Sequence, residues 1–269
     1  MSGRAVDTVL AFSTQAGAAA FPTALAATTG DSLVVRGTVG ESKAHLMSMS
    51  TKSDAAGNKF RIASPLLHDN VTGLTWQANE NPGLFLIPEY ASVELNEQDT
   101  LSVFGQCGAA TTISVALTIA YDNLRGTDAD LYRWGDIEGD IKAIKSVEVD
   151  LSAIAVGAWT DTAITATENQ LHADKSYAVL GYLCNPATLA IGVKGVATGN
   201  LRMCGPGFPS SLSSTDFFIE MSEYHRVPYI PVFQANDRTA FFVSAADSVA
   251  RAGGAVVCSL IVAELKTKR

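Results

Sequence analysis

Short runs in which apolar residues alternate with polar ones, or β-branched residues cluster, recur at 33–39, 60–63, 84–87, 101–104, 113–121, 177–183, 189–193, 241–243 and 255–265. Their lengths are those of strands rather than helices. Between them Gly40, Gly57-Asn58, Asn81-Pro82-Gly83, Gly105, Gly205-Pro206-Gly207 and Gly253-Gly254 supply the positive or fixed φ that tight turns need. The pattern predicts an all-β protein.

The same landmarks occur twice in the same order. Asp7-Thr-Val-Leu and then 21–28 in the first half correspond to Glu148-Val-Asp-Leu and then 159–167 in the second. Asp31-Ser-Leu-Val-Val-Arg-Gly is matched by Lys175-Ser-Tyr-Ala-Val-Leu-Gly, and Gly57-Asn58 through Pro65 by Gly199-Asn200 through Pro206. Ile87-Pro88 is matched by Ile230-Pro231, and Val115-Ala-Leu-Thr-Ile by Cys258-Ser-Leu-Ile-Val, both 143 residues on. Trp76 and Phe218 fall at equivalent places, 142 apart, as duplicated core packing. A nearly constant spacing over the whole length predicts a tandem duplication, with one sandwich over 1–125, a linker over 126–145 and a second sandwich over 146–269.

The linker region, 122–144, is rich in Asp and poor in β-branched residues. Ile137, Ile141 and Ile144 follow Asp136 at a spacing that stacks them on one helical face, which predicts a short helix N-capped near Asp136. The carboxylates Asp122, Asp128, Asp130, Asp136, Glu138 and Asp140 are oxygen donors of the kind that hold a structural calcium ion. Because the Asp-x-Asp-x-Asp-Gly loop is absent, they read first as a solvated acidic linker and only second as a calcium site.

Composition narrows the function. The chain has 269 residues, 47% hydrophobic and only 17% charged, against about 25% charged in average proteins. That deficit implies that part of the surface meets protein. A net charge of −8 opposes a broad contact with phosphate backbones, so no specific nucleic-acid partner is expected. No uninterrupted apolar run reaches the roughly 18 residues of a membrane span. Ala18-Ala19-Ala20 resembles a signal-cleavage site, yet the apolar run 9–12 falls short of the about 7 to 15 residues such a signal needs. The N-terminal stretch therefore reads as a first strand. Cys107, Cys184, Cys204 and Cys258 show no Cys-x-x-Cys spacing and read as small buried hydrophobes.

Residues with catalytic potential do not form a pattern. His45, His68, His172 and His225 lack the i, i+4 spacing of a zinc-binding helix face. Neither a Gly-x-Ser-x-Gly elbow nor a phosphate-binding glycine loop occurs. Glu89, Glu94 and Glu97, like Glu220 and Glu223, read as solvent-facing strand positions. No enzyme, cofactor or catalytic residue is assigned. Tyr132, Trp134, Phe208, Tyr224 and Tyr229 fall in loops, and an exposed aromatic cluster of this kind reads first as a subunit contact and second as a sugar-stacking platform. Lys266-Thr-Lys-Arg269 forms a short basic tail that reads as a solvated end.

Two like-sized sandwiches in tandem, with duplicated blocks such as Phe60-Arg-Ile-Ala-Ser-Pro and Leu201-Arg-Met-Cys-Gly-Pro, resemble the double jelly-roll major capsid proteins of tailless icosahedral viruses and bacteriophages. The resemblance is architectural and carries no signature residues. It implies two tandem jelly-roll sandwiches joined by a short helical linker, and a structural shell protein of the virion assembled in the host cytoplasm. It further implies a homotrimer of pseudo-hexagonal outline that tiles the capsid lattice, contacts with other virion proteins and, in many relatives, an internal membrane beneath the shell. The alternative from the residues alone is a carbohydrate-binding or adhesin-like double β-sandwich module.

Overall fold

The computed structural model describes residues 4–16, 25–27, 31–53, 59–65, 67, 73–77, 83–88, 93–106, 111–164, 171–185, 188–207, 214–236, 241–247 and 249–269. It is all-β and antiparallel. The first half holds β1 (Arg4–Ala16), β2 (Ala26–Ala27), β3 (Ala44–Ser53), β4 (Lys59–Ala63), β5 (Leu74–Gln77), β6 (Gly83–Leu86), β7 (Val93–Leu95), β8 (Ser102–Gln106) and β9 (Thr111–Asp122). The second holds β10 (Leu131–Tyr132), α1 (Trp134–Ile137), β11 (Ile141–Asp150), β12 (Trp159–Ala163), β13 (Ser176–Asn185), β14 (Ala190–Gly195) and β15 (Arg202–Pro206). It continues with α2 (Phe217–His225), β16 (Ile230–Gln234), β17 (Phe241–Ala246) and β18 (Val257–Leu265).

Each sheet draws its strands from one half only. The first half forms β2-β1-β9-β3-β6, with β7 also on β3, and a smaller sheet β5-β4-β8. Residues 33–35 run beside the approach to β8 through the Val34–Thr100 bridge and the flanking bonds from Val35 N–H to Asp99 O and Leu101 N–H to Leu33 O. The second half forms β10-β16-β13-β18-β11 and β12-β17-β14-β15. The strand orders correspond. In both, the first strand lies beside the last, the last beside the long middle strand β3 or β13, and that strand beside the return strands β6 and β7, or β16.

Two cores result, because alternation turns one side of every strand inward. Val9, Met49 and Leu117 of one sheet meet Phe60, Ile62 and Val103 of the other in the first half. Val149, Tyr182 and Leu260 meet Ile191, Val193 and Val243 in the second.

Eight of the nine expected strand segments are strands; 33–39 instead contains isolated bridges at Val34 and Thr38. The linker helix is corrected. It is a single turn, Trp134–Ile137, preceded by Arg133 rather than capped by Asp136, whose side chain accepts the Arg133 N–H at 3.2 Å from within the turn. Ile141 and Ile144 belong to β11, where alternation separates them: Ile141 is half-buried, and Ile144 is 65% exposed.

The duplicated blocks are also corrected in the middle of the chain. β9 and β18 keep the 143-residue spacing. Taking Val115 as equivalent to Cys258, the ladders place Ala11 opposite Val115 and Val149 opposite Cys258, a first-strand spacing of 138. The partner of β13 is β3, not the stretch containing Asp31, and the partner of β4 is β14, not β15. Trp76 lies on strand β5 and Phe218 on helix α2, so their shared burial is not shared position. Gly199 and Asn200 do form the expected turn, both at positive φ; Gly57-Asn58 lies outside the described residues.

Candidate functional site

The most elaborate polar cluster lies where the two halves meet, between β1 and the edge strand β15. An edge strand presents unpaired backbone groups that must find partners when buried. Thr8 of β1 supplies two: its Oγ1 donates to the Cys204 carbonyl at 3.2 Å, and the Cys204 N–H donates to Oγ1 at 3.0 Å. Asp7 Oδ1 accepts the Arg202 N–H at 3.3 Å. Side chains of one half thus seal the sheet edge of the other. Leu10, Ala116, Leu189, Ala190, Cys204 and Ala246 form the apolar floor of this joint.

Arg202 spans the joint. Its Nη1 lies 3.4 Å from Asp31 in the first half, and its Nη2 3.5 Å from Asp161 in the second. Its Nε donates to Ser244 at 3.1 Å, and its guanidinium covers the Trp159 ring at 4.9 Å. Asp31 Oδ2 accepts the Leu10 N–H and the Trp159 indole N–H, each at 2.7 Å. Asp161 accepts Lys194 at 2.7 Å and Ser244 at 2.6 Å, and Arg36 pairs with Asp7 at 2.9 Å.

The acids differ in protonation tendency. Burial pushes Asp31 up to about 6, against the Trp159 and Leu10 hydrogen bonds and Arg202. It raises Asp7 likewise, against Arg36. Burial also opposes the charge on Asp161, but hydrogen bonds from Lys194 and Ser244 outweigh it and hold that carboxyl below its ordinary value. The arrangement is a partly buried charge network that bridges the two halves.

A second feature is a groove of about 1440 Å³ lined by residues of 128–136, 226–234 and Arg269. Four of the five aromatics selected from sequence gather around it and α2. Tyr132 is half-buried, its hydroxyl bonded to Asp130 at 3.1 Å and its ring under the Arg269 guanidinium at 4.9 Å. Trp134 is half-buried on the second core, its backbone N–H donating to Ser222 Oγ. Tyr224 is 41% exposed. Tyr229 is not exposed at all: its ring packs on Phe217 and Phe218 inside the second core. It is removed from the contact surface, because the chain after α2 must bury an apolar anchor to re-enter β16. Phe208 lies outside the described residues.

The basic tail lies on the surface, with Lys266, Thr267 and Lys268 exposed as expected of a solvated end, and is held there by hydrogen bonds. Thr267 bonds Asp140, Lys266 Nζ donates to the Gly139 carbonyl, and Arg269 accepts from Ser176 and Gln234 through its carbonyl oxygen. The linker carboxylates are dispersed among separate partners: Asp122 on Arg4, Asp130 on Tyr132, Asp140 on Thr267. Among the described residues no group of three His, Cys, Asp or Glu side chains converges as a metal site.

Glu220 and Glu223 sit on α2, not on a strand; Glu94 is an exposed position of β7, and Glu89 and His68 lie outside the described residues. Burial and the neighbouring Arg4 push His225 down to about 4, while His45 sits 3.6 Å from Asp122. Cys184, Cys204 and Cys258 are buried thiols, with burial raising each; Cys107 lies outside the described residues. Among the described residues no helix is long and apolar enough to cross a membrane.

The joint escaped sequence reading because its partners stand far apart in the chain. Its signal is a charged residue inside an apolar strand pattern, as at Asp7 and Arg202. A scan against protein-family models and a search of curated proteins both returned no match.

Proposed function

We propose that this chain is a structural shell subunit, a double jelly-roll capsid protein whose three copies form a pseudo-hexagonal building block. The observation that carries the reading is the correspondence of strand order in the two halves. The sequences β1-β9-β3-β6 and β11-β18-β13-β16 on one side, and (33–35)-β8-β4-β5 and β12-β17-β14-β15 on the other, support a jelly-roll reading of each half.

The joint supports the same reading. A tiling subunit gains from two near-equivalent wedges held at one fixed angle, because three such chains then offer six similar faces around a true threefold axis. The sealed β15 edge and the Arg202 network supply that fixed angle. The low content of charged residues fits large contacts between copies, and the negative balance favours solubility of the free block.

Size-exclusion chromatography with light scattering tests the proposal. The expected mass is three times 28.2 kDa. A single-copy mass at every concentration up to several mg/ml overturns it.

A further inference from the structure

Two of the four edge strands of the second half, β15 and β11, are treated differently. β15 is closed by Asp7 and Thr8, whereas β11 has β18 as its sole strand neighbour among the described residues. β11 is ten residues long, well above the short edges that proteins usually leave open.

Its hydrogen-bond phase is fixed at one end, where Leu151 N–H donates to Val256 O at 2.9 Å. Counting back along an antiparallel ladder, Val149, Val147 and Lys145 direct their backbone groups to β18. Ile144, Ser146, Glu148 and Asp150 direct theirs outward. The side chains of these four are also exposed, as is that of Lys142. Ile144, at 65%, is the most exposed of the large hydrophobic residues.

The strand is also electrically polar. Lys142 and Lys145 lie in its first half, both anchored on the buried Glu264 carboxylate at 2.7 and 2.6 Å, and Glu148 and Asp150 lie in its second. A parallel copy would stack like charges, while an antiparallel copy sets the basic end over the acidic end.

We infer that β11 is a self-association edge: a second copy of this chain adds its own β11 antiparallel around a twofold axis at Ser146. This register places Ile144 against Glu148 and brings the end that carries Lys142, the extra residue of the bulge between Ile141 and Ala143, beside Asp150; it extends two five-stranded sheets into one of ten strands and covers Ile144. Shifting it to centre on Glu148 would face two carboxylates, which opposes that alternative. The contact is isologous, so it closes at two copies.

The pairing goes beyond the shell reading and is separable from it, since edge pairing doubles a mass whereas threefold grouping triples it. The first test is Ser146→Pro in the full chain. Proline there removes only an outward N–H and is tolerated on an edge strand. Light scattering is expected to show the wild-type protein doubling from its smaller species as concentration rises. In Ser146→Pro the doubling is lost or displaced at least about tenfold in concentration, with an unchanged unfolding midpoint. Equal doubling in the variant, or no doubling in the wild type, overturns the inference.

Ser146→Cys provides a second test that survives any folding defect of the proline variant. Diamide is expected to link Ser146→Cys into a two-chain covalent species. A control cysteine at the exposed Asp174, Asp174→Cys, stays largely unlinked. Equal linking in both variants, or none at Ser146→Cys, also overturns it. A twofold contact with a three-copy mass absent refutes the shell subunit alone; a three-copy mass without doubling refutes the edge alone.

Discussion

Met47 and Leu180 occupy the same place in the two halves of the molecule. Each is the extra residue of a β-bulge, Met47 between the pairs Leu46–Ile119 and Ser48–Thr118, and Leu180 between Val179–Val262 and Gly181–Ile261. The opposing residues are themselves related by the 143-residue spacing of β9 and β18. A bulge interrupts the ladder and bends its strand, so its recurrence at one position of two sheets is a finer mark of common architecture than any pair of matching residues.

Both bulge side chains are buried and belong to the second core cluster, so truncation removes packing there. Leu180→Ala and Met47→Ala are each expected to lose about 2–5 kcal/mol, read from urea unfolding. A loss below about 0.5 kcal/mol would mean that these bulges are tolerated irregularities rather than packed features.

Gly181 beside the second bulge permits a close backbone approach. A Cβ there would lie 2.2 Å from the Ser214 carbonyl oxygen, which also accepts the Tyr182 N–H at 3.0 Å. Gly181→Ala is therefore expected to displace the segment leading into α2. Amide exchange of Tyr182 should accelerate at least about tenfold, the change that about 1.4 kcal/mol of lost protection produces; unchanged exchange contradicts the contact.

Thr8→Val tests the sealing of β15. The substitution preserves shape and leaves the buried Cys204 N–H and carbonyl without their hydroxyl partner, at an expected cost of about 1–3 kcal/mol. Arg202→Met is expected to cost more, about 3–5 kcal/mol, because the Asp31 carboxylate, 4% exposed, then stands beside an apolar chain without its guanidinium partner, while the half-buried Asp161 keeps Lys194 and Ser244. Urea titration of the two variants ranks them, and a smaller loss for Arg202→Met than for Thr8→Val would contradict the role assigned to the network.

Asp31 of the joint and Glu264 of β18 give opposite pH dependences. Asp31 has a folded value near 6, above the ordinary 3.8. Its folded form therefore binds the proton more tightly, and its contribution to stability grows as pH falls from above 6 toward 4. Glu264, held down to about 2 by Lys142 and Lys145, contributes stability above its ordinary 4.5 that disappears as pH falls through about 2. Urea unfolding at pH 7, 5 and 3 should show a gain from 7 to 5 that Asp31→Asn abolishes. A loss between 5 and 3 should be reduced in Glu264→Gln. An Asp31→Asn profile parallel to wild type between 7 and 5 contradicts the burial of that carboxyl as an ion.

The central strands β9, β13 and β18 were legible in the sequence because each is a long run of mainly apolar and β-branched residues, buried over most of its length. β3 was hidden. Its first face packs into the first core through Leu46 and Met49, while Ser48 and Ser50 are buried on the other face, so polar residues stand where an exposed face was expected. The start of β11 reads as a helix in the sequence, and only its part from Glu148 as a strand, because Lys145 lies on its inward face, where Glu264 neutralises it, and the isoleucine spacing matches a helical stripe by coincidence. Helix α2 carried a usable signal in Phe217, Phe218 and Met221, at i, i+1 and i+4. Of the joint, only Asp7 and Arg202 were visible, as charges inside apolar runs; the pairing of residues some 170 to 196 positions apart has no local trace.

Electron microscopy of the purified protein tests the central claim most directly. Class averages are expected to show a threefold particle with six similar lobes, two from each chain. Particles with a single two-lobed body, or threefold particles whose two lobes per chain differ grossly in size and shape, would contradict a duplicated shell subunit.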